Sequence, residues 1–255
     1  MPRHPFALLR PAAGVLGLAV LAFAWAAPAR AGSLEVLRKT LGAVADTSPL
    51  RAELVVEVSR QQKDQDVRKG QATVTLAEDG NGLQIGFAAD ALARAEREQA
   101  QTDPDRPRPV SEGLRSIDPV EIEPLLGYSR RLLSDLDGAT LLGDHADVLH
   151  GVPARRLEFE LPVRLSESGR KRIKHARSTM KLWLGPDGLP VALEDQAEFK
   201  GRIFLIIGFE AHQSRKLQFG RAGNRLIVLR QETHSSGSGL GESASETRIA
   251  TLKVL

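Results

Sequence analysis

Residues 179–199, TMKLWLGPDGLPVALEDQAEF, decide the fold class. Thr179 to Leu184 is a strand-forming run, Gly185-Pro186-Asp187-Gly188 is a turn, and beyond Pro190 a second run extends from Val191 to Phe199. Glycine and proline supply the backbone angles of a tight reversal, and an aspartate side chain bonds to nearby backbone N–H groups. The two runs therefore pair antiparallel through a local connection. The same pattern recurs on both sides. Ahead of it, Arg155 to Leu161 places Leu157, Phe159 and Leu161 opposite Arg156, Glu158 and Glu160, and Leu141-Leu142 and Val148-Leu149 are short candidates. After it come Ile203 to Phe209, Lys216 to Phe219, Asn224 to Thr233 and Glu246 to Leu255, with Ser235 to Ser245 read as a flexible Ser/Gly-rich hairpin loop.

Period-two alternation also governs the N-terminal part. Ala52, Leu54, Val56 and Val58 alternate with Glu53, Glu57 and Ser59, and Ala72, Val74 and Leu76 with Gln71, Thr73 and Thr75. Glu78 to Gly82 is a turn before Leu83, Ile85 and Phe87. Three stretches are expected to be helical instead. Residues 33–46 put Leu34, Val36, Leu37, Leu41 and Val44 on one side at helical spacing. Residues 88–138 hold an Ala-, Arg- and Glu-rich helix, a Pro-rich connection, and a helix start at Asp118-Pro119 with an N-cap and a proline in the first turn. Ser166 to Arg177 reads as a basic helix. The expected fold is α+β: a single large curved antiparallel sheet, an incurved half-barrel of about ten strands, with residues 88–138 as a helical insertion forming a lid or plug.

The N-terminus reads as an export signal. Arg3 and Arg10 precede an apolar run from Ala12 to Ala27, Pro28 ends it, and Ala29-Arg30-Ala31 is a small-x-small cleavage pattern. The run is short of the ~20 residues that span a bilayer. Cleavage after Ala31 and a bacterial periplasmic location are the expectation, with residues 32–255 as one β-rich domain. The whole chain has 35 Lys and Arg against 32 Asp and Glu, and Arg3, Arg10 and Arg30 account for the difference. Residues 32–255 are thus formally neutral, which speaks against a nucleic-acid partner. The absence of cysteine removes disulfides, thiolate metal sites and a cysteine nucleophile.

Ile203-Phe204-Leu205-Ile206-Ile207-Gly208-Phe209 and Leu226-Ile227-Val228-Leu229 are apolar on both faces, so both faces are expected to be covered. The cover is either a plain two-layer core or an apolar cavity with a ligand in it.

This layout resembles the periplasmic lipoprotein carriers, the mycobacterial-type lipoproteins and the sensors that act on envelope-stress anti-sigma factors. Leu182-Trp183-Leu184-Gly185-Pro186-Asp187-Gly188-Leu189-Pro190 is similar to a W-x-D-x-x-x-P strand-turn-strand segment of these proteins, and His150-Gly151-Val152-Pro153-Ala154 is a weaker match. The resemblance implies an unclosed barrel whose apolar concave face holds acyl chains under helical lids. It also implies a lid-holding arginine near the first strand, the place of Arg51 in this chain.

Candidate chemistry is sparse. Asp144-His145-Ala146-Asp147-Val148-Leu149-His150 gathers possible metal ligands, but alternation sends His145 and His150 to opposite faces, and a solvated loop is the expected reading. No phosphate loop, zinc-protease helix or nucleophile elbow is present. No catalytic residue, metal site or cofactor is assigned. Arg51, Trp183, Phe204, Ile206 and Phe209 are the candidate ligand-binding residues. Arg170, Lys171, Arg172 and Lys174, in a segment with five permanent cations in eight residues, are candidates for docking a headgroup or partner. The expected function is a non-enzymatic, monomeric carrier of a lipid or acylated protein. The alternative is an envelope sensor or protein-interaction module, with inner- or outer-membrane proteins as partners.

Overall fold

A computed structural model describes residues 30–45, 48–103, 106–203 and 207–255. Ten strands form one antiparallel sheet: β1 (Leu50–Gln62), β2 (Arg68–Asp79), β3 (Gly82–Phe87), β4 (Thr140–Leu149), β5 (Val152–Glu160), β6 (Ile173–Leu184), β7 (Pro190–Ile203), β8 (Ile207–Ala222), β9 (Arg225–Gly239) and β10 (Glu242–Val254). The order across the sheet is β3-β2-β1-β10-β9-β8-β7-β6-β5-β4. Each strand from β4 to β10 pairs with its successor, and the last strand then pairs with the first, from Ala52↔Val254 to Gln62↔Ala244. The sheet is unclosed, and its two edges are β3 and β4. These are the strands joined by the helical insertion.

That insertion comprises α2 (Ala89–Gln99), α3 (Pro109–Arg115), α4 (Pro119–Ile122), a 3-10 turn (Glu123–Leu126) and α5 (Tyr128–Asp135). It crosses the inner face of the sheet from edge to edge, touching β2 and β1 through α3 and β9 through the 3-10 turn and α5. The Asp118 carboxylate accepts a hydrogen bond from the Val120 N–H at 2.9 Å, and Pro119 occupies the first turn, as the sequence predicts for a helix start. Ile122, Leu125, Leu126, Leu132 and Leu136 are all buried. They meet Leu37 and Leu41 of α1 (Arg30–Ala43) and the inward residues of the strands, among them Leu54, Val74, Phe159, Leu182 and Leu217. The apolar end of the half-barrel is therefore a packed core.

One crossing needs glycine on both partners. A Cβ on Gly113 of α3 would lie 2.2 Å from the carbonyl carbon of Gln71, and one on Gly70 of β2 would lie 2.5 Å from the Gly113 nitrogen. Both obstacles are backbone, so no side chain can swing away.

Several expectations are corrected. Ile203 to Phe209 is divided between two strands: Ile203 of β7 pairs with Ile207 of β8, and residues 204–206 lie outside the described set. Periodicity alone does not separate an apolar strand from an apolar hairpin. Ser235 to Ser245 is the paired ends of β9 and β10 around the two-residue turn Leu240-Gly241, because ladders with β8 and β10 override the loop-like composition. The basic helix is confined to α6 (Glu167–Arg172), since from Ile173 onward the chain pairs with β7. Asp144 to Leu149 belongs to β4, a strand instead of a loop, and turns through His150-Gly151, both at positive φ. The signal segment falls outside the described residues up to residue 29.

Gly113→Ala isolates the glycine crossing, because helix propensity alone favours alanine by about 1 kcal/mol. We expect the opposite sign: a net loss of about 1–3 kcal/mol in denaturant melts, with faster amide exchange across α2 and α3.

Candidate functional site

Alternation continues along the strands past the core, but the inward side chains change character. Two residues beyond Leu193 the inward position is Asp195, and two residues before Leu217 it is Arg215; the two are paired across β7 and β8. Cross-strand neighbours then run Gln213, Ser235, Glu246 and Arg60, and next to them Thr233, Arg248 and Val58. One sheet face is thus apolar at one end and polar in its middle, and beyond the polar band the inward positions are Phe199, Ala211, Phe209, Gly237 and Ala244.

Three inward arginines tie the insertion to this polar half. Arg60 bonds to Glu246 through Nε at 2.6 Å and reaches Glu112 of α3 through Nη1 at 2.8 Å. Arg248 pairs with Glu121 of α4. Arg215 pairs with Asp195 and lies 3.8 Å from Asp135 of α5. Burial pushes the Asp195 carboxyl up against the pull of Arg215. The Arg215 guanidinium also lies 5.9 Å above the ring of Tyr128, whose centroid is 5.3 Å from that of Phe219 with the two rings tilted at 51°. Among the described residues the Tyr128 hydroxyl has no hydrogen-bond partner, and burial pushes its phenol well above the usual value, so it is a neutral donor at the polar half.

Beside these contacts the inner face is open. Recesses of about 420, 320 and 440 Å³ succeed one another along it. All three are lined by Gln213, so they form one groove from Asp137 and Pro162, under Arg131 and Arg215, to Phe199 and Gln62. Gln213, Gln231, Thr233 and Ser235 offer donors and acceptors along its floor.

The candidate residues of the sequence analysis are not brought together. Arg51 is exposed on the outer face at the start of β1, and its carbonyl accepts the N–H of Leu255 at 3.0 Å. Trp183 is also on the outer face, where its indole N–H donates to Asp147 at 2.9 Å beside Arg156. That bond is the main cause holding the Asp147 carboxyl below the usual range. Phe209 is half-buried on the inner face at the open end, its ring covering Gly201. Phe204 and Ile206 lie outside the described residues. Arg170, Lys171, Arg172 and Lys174 are exposed at the β6 end of the sheet. Among the described residues no three His, Asp or Glu side chains converge as a metal site. The groove residues were not singled out by motif. Extending the alternation inward from Leu193 and Leu217 by two positions finds Asp195 and Arg215.

At the apolar end a further ion pair fixes α1. Arg155 donates to Asp144 through Nε at 2.7 Å, and the Ser33 hydroxyl of α1 donates to the same carboxylate at 2.8 Å. The Arg155 bond, with help from Ser33, holds the Asp144 carboxyl below its ordinary value. A carboxylate depressed in the folded state stabilises the fold above its unfolded pKa of about 4, and that contribution is lost as pH falls through the folded value. Urea melts should therefore show Asp144→Asn less stable than the parent at pH 7, with the gap shrinking as the pH is taken below 4. A gap independent of pH would contradict the assignment.

No family model and no curated protein matches the sequence. Among solved structures the chain is similar to a LolA superfamily protein from Nitrosomonas europaea, at 10% identity over 87% of this chain and 93% of that one, with a TM-score of 0.29. It is also similar to MucB in complex with MucA(peri), at 11% identity over 86% and 93%, with a TM-score of 0.24. The MucA/MucB complex of Pseudomonas aeruginosa gives 10% identity over 88% and 98%, with a TM-score of 0.20. Superpositions this loose say nothing of ligand or partner. The fold assignment rests on the strand order and register.

Proposed function

We propose that the chain is an exported, non-catalytic binding protein of the bacterial periplasm that holds an extended segment of a partner protein in the polar groove of its concave face. The observation that carries this reading is the division of the inner face. Ile122, Leu125, Leu126, Leu132 and Leu136 already occupy the apolar end, and the open part is long and lined over most of its length by amide, hydroxyl and charged groups, with Phe199, Ala211 and Ala244 at its far end. An extended polypeptide presents backbone donors and acceptors at short, regular intervals, which suits such a floor; an acyl chain presents none. The N-terminal signal in the sequence supports export, and the neutral charge of residues 32–255 supports a protein partner over nucleic acid.

Carriage of a lipid or acylated protein is the second reading, favoured by the ion pairs of Arg60, Arg215 and Arg248 that hold the insertion at its polar side, contacts that can open without loss of apolar burial. It requires those aliphatic side chains to leave. Each is worth about 1.5–3 kcal/mol buried, and each acyl methylene that replaces them about 0.8 kcal/mol, so a long chain could offset the exchange.

A photoreactive residue separates the two. Positions 235 and 213 face the groove, whereas position 234 faces outward and lines none of its recesses. In the native envelope we expect positions 235 and 213 to yield one discrete polypeptide adduct and position 234 none. Gln213→Trp, which fills the groove, should weaken binding of the identified partner at least ten-fold. Adducts of lipid mass would favour carriage, and equal yields from both faces would sink the groove as the site.

A further inference from the structure

At the opposite end of β6–β9 from the apolar core, strand pairing gathers charges that the sequence keeps far apart. Ile173 pairs with Gly201, and His175 with Lys200, so the residues around the α6–β6 junction meet the end of β7. Arg170, Arg172, Lys174, Arg177 and Arg202 are all exposed there. None of the five side chains has a hydrogen bond or ion pair among the described residues. The cations beside them are matched: Lys171 pairs with Glu167 and Lys200 with Glu210. In a formally neutral mature sequence this leaves a local cationic rim that forms no salt bridge among the described residues, although Arg177 has Glu198 as its strand partner.

A second observation falls on the same rim. Gly201 is in register with Phe209, and Phe209 with Gly239, so the β9–β10 turn lies three strand spacings from Ile173, about 14 Å along the sheet. The tip of that turn is Leu240, 68% exposed and at φ 58°, followed by Gly241 at φ 81°. A two-residue turn of this kind favours asparagine at its first position, and leucine takes the left-handed conformation reluctantly. An exposed leucine held in a disfavoured backbone beside five unmatched cations is explained by neither folding nor solubility.

We propose that this rim docks the protein on an anionic phospholipid surface. The five cations meet headgroup phosphates, and Leu240 enters the boundary between headgroups and acyl chains. The proposal does not depend on what the groove holds.

The test is co-sedimentation of the purified protein with vesicles. We expect binding to equimolar phosphatidylglycerol and phosphatidylcholine at 0.1 M salt, none to phosphatidylcholine alone, and release at 0.5 M salt. A basic residue near such a surface is worth about five-fold, so R170Q/R172Q/K174Q should weaken partitioning by about 100-fold. K39Q/R221Q/K253Q, neutral changes at exposed positions away from the rim, should stay within about two-fold. Leu240→Asn should raise the melting temperature, because it suits the turn, yet weaken vesicle binding by about ten-fold, the effect of losing part of a buried leucine. Equal losses in the two triple variants would reduce the effect to general charge and overturn the proposal. So would equal binding to both vesicle types, or binding to soluble polyglutamate as tight as to the anionic vesicles.

Discussion

The ladder between the first strand and the last is the constraint on which the rest of the structure depends. Ala52↔Val254 through Gln62↔Ala244 is a long, continuous antiparallel pairing of residues that are nearly the whole chain apart. It places the N-terminal three-stranded meander on the free side of β10. The strands flanking the helical insertion thereby become the sheet's two edges, and the connection between them has to cross the concave face. Crossing there, the insertion meets the inward Leu, Val and Phe side chains and supplies the apolar surface that covers them. The cost of ordering some fifty residues of connection is offset by that burial.

What remains open is determined by where the inward residues turn polar. A buried or partly buried arginine is costly unless paired, and Arg60, Arg215 and Arg248 all find carboxylates on the inner face or the insertion. Glu112, Glu121 and Asp135 are spread over α3, α4 and α5, so the three arginines fix the insertion along its length. Charge pairs of this kind favour one arrangement over shifted ones, because a slip of a turn would leave several buried charges unmatched. The groove beside them keeps its hydrogen-bonding groups exposed to whatever lies in it.

Local periodicity made most of the strands legible, together with α1, α2 and the Asp118-capped helix start. It also carried information that a motif search passes over: Trp183 lies between the buried Leu182 and Leu184, and parity alone puts it on the other face of the sheet. Alternation tells which face a residue takes but not which strand lies beside it, so the β1–β10 pairing was beyond reach. Composition misled where neighbours decide the outcome. Ser235 to Ser245 is strand because β8 and β10 supply partners, with Ser235 and Gly237 small on the groove side. The expected apolar concave site divides into two: an apolar part that exists but is filled by the chain itself, and an open part that is polar until it reaches Phe199, Ala211 and Ala244.

Amide hydrogen exchange across residues 119–136, with and without a long-chain fatty acid, tests the central claim most directly. If these residues are part of the core, the amides of the 3-10 turn and α5 exchange only by near-global unfolding and are unaffected by the fatty acid. Exchange within minutes, or loss of protection on addition of the fatty acid, would show a mobile lid over an apolar site and contradict the account.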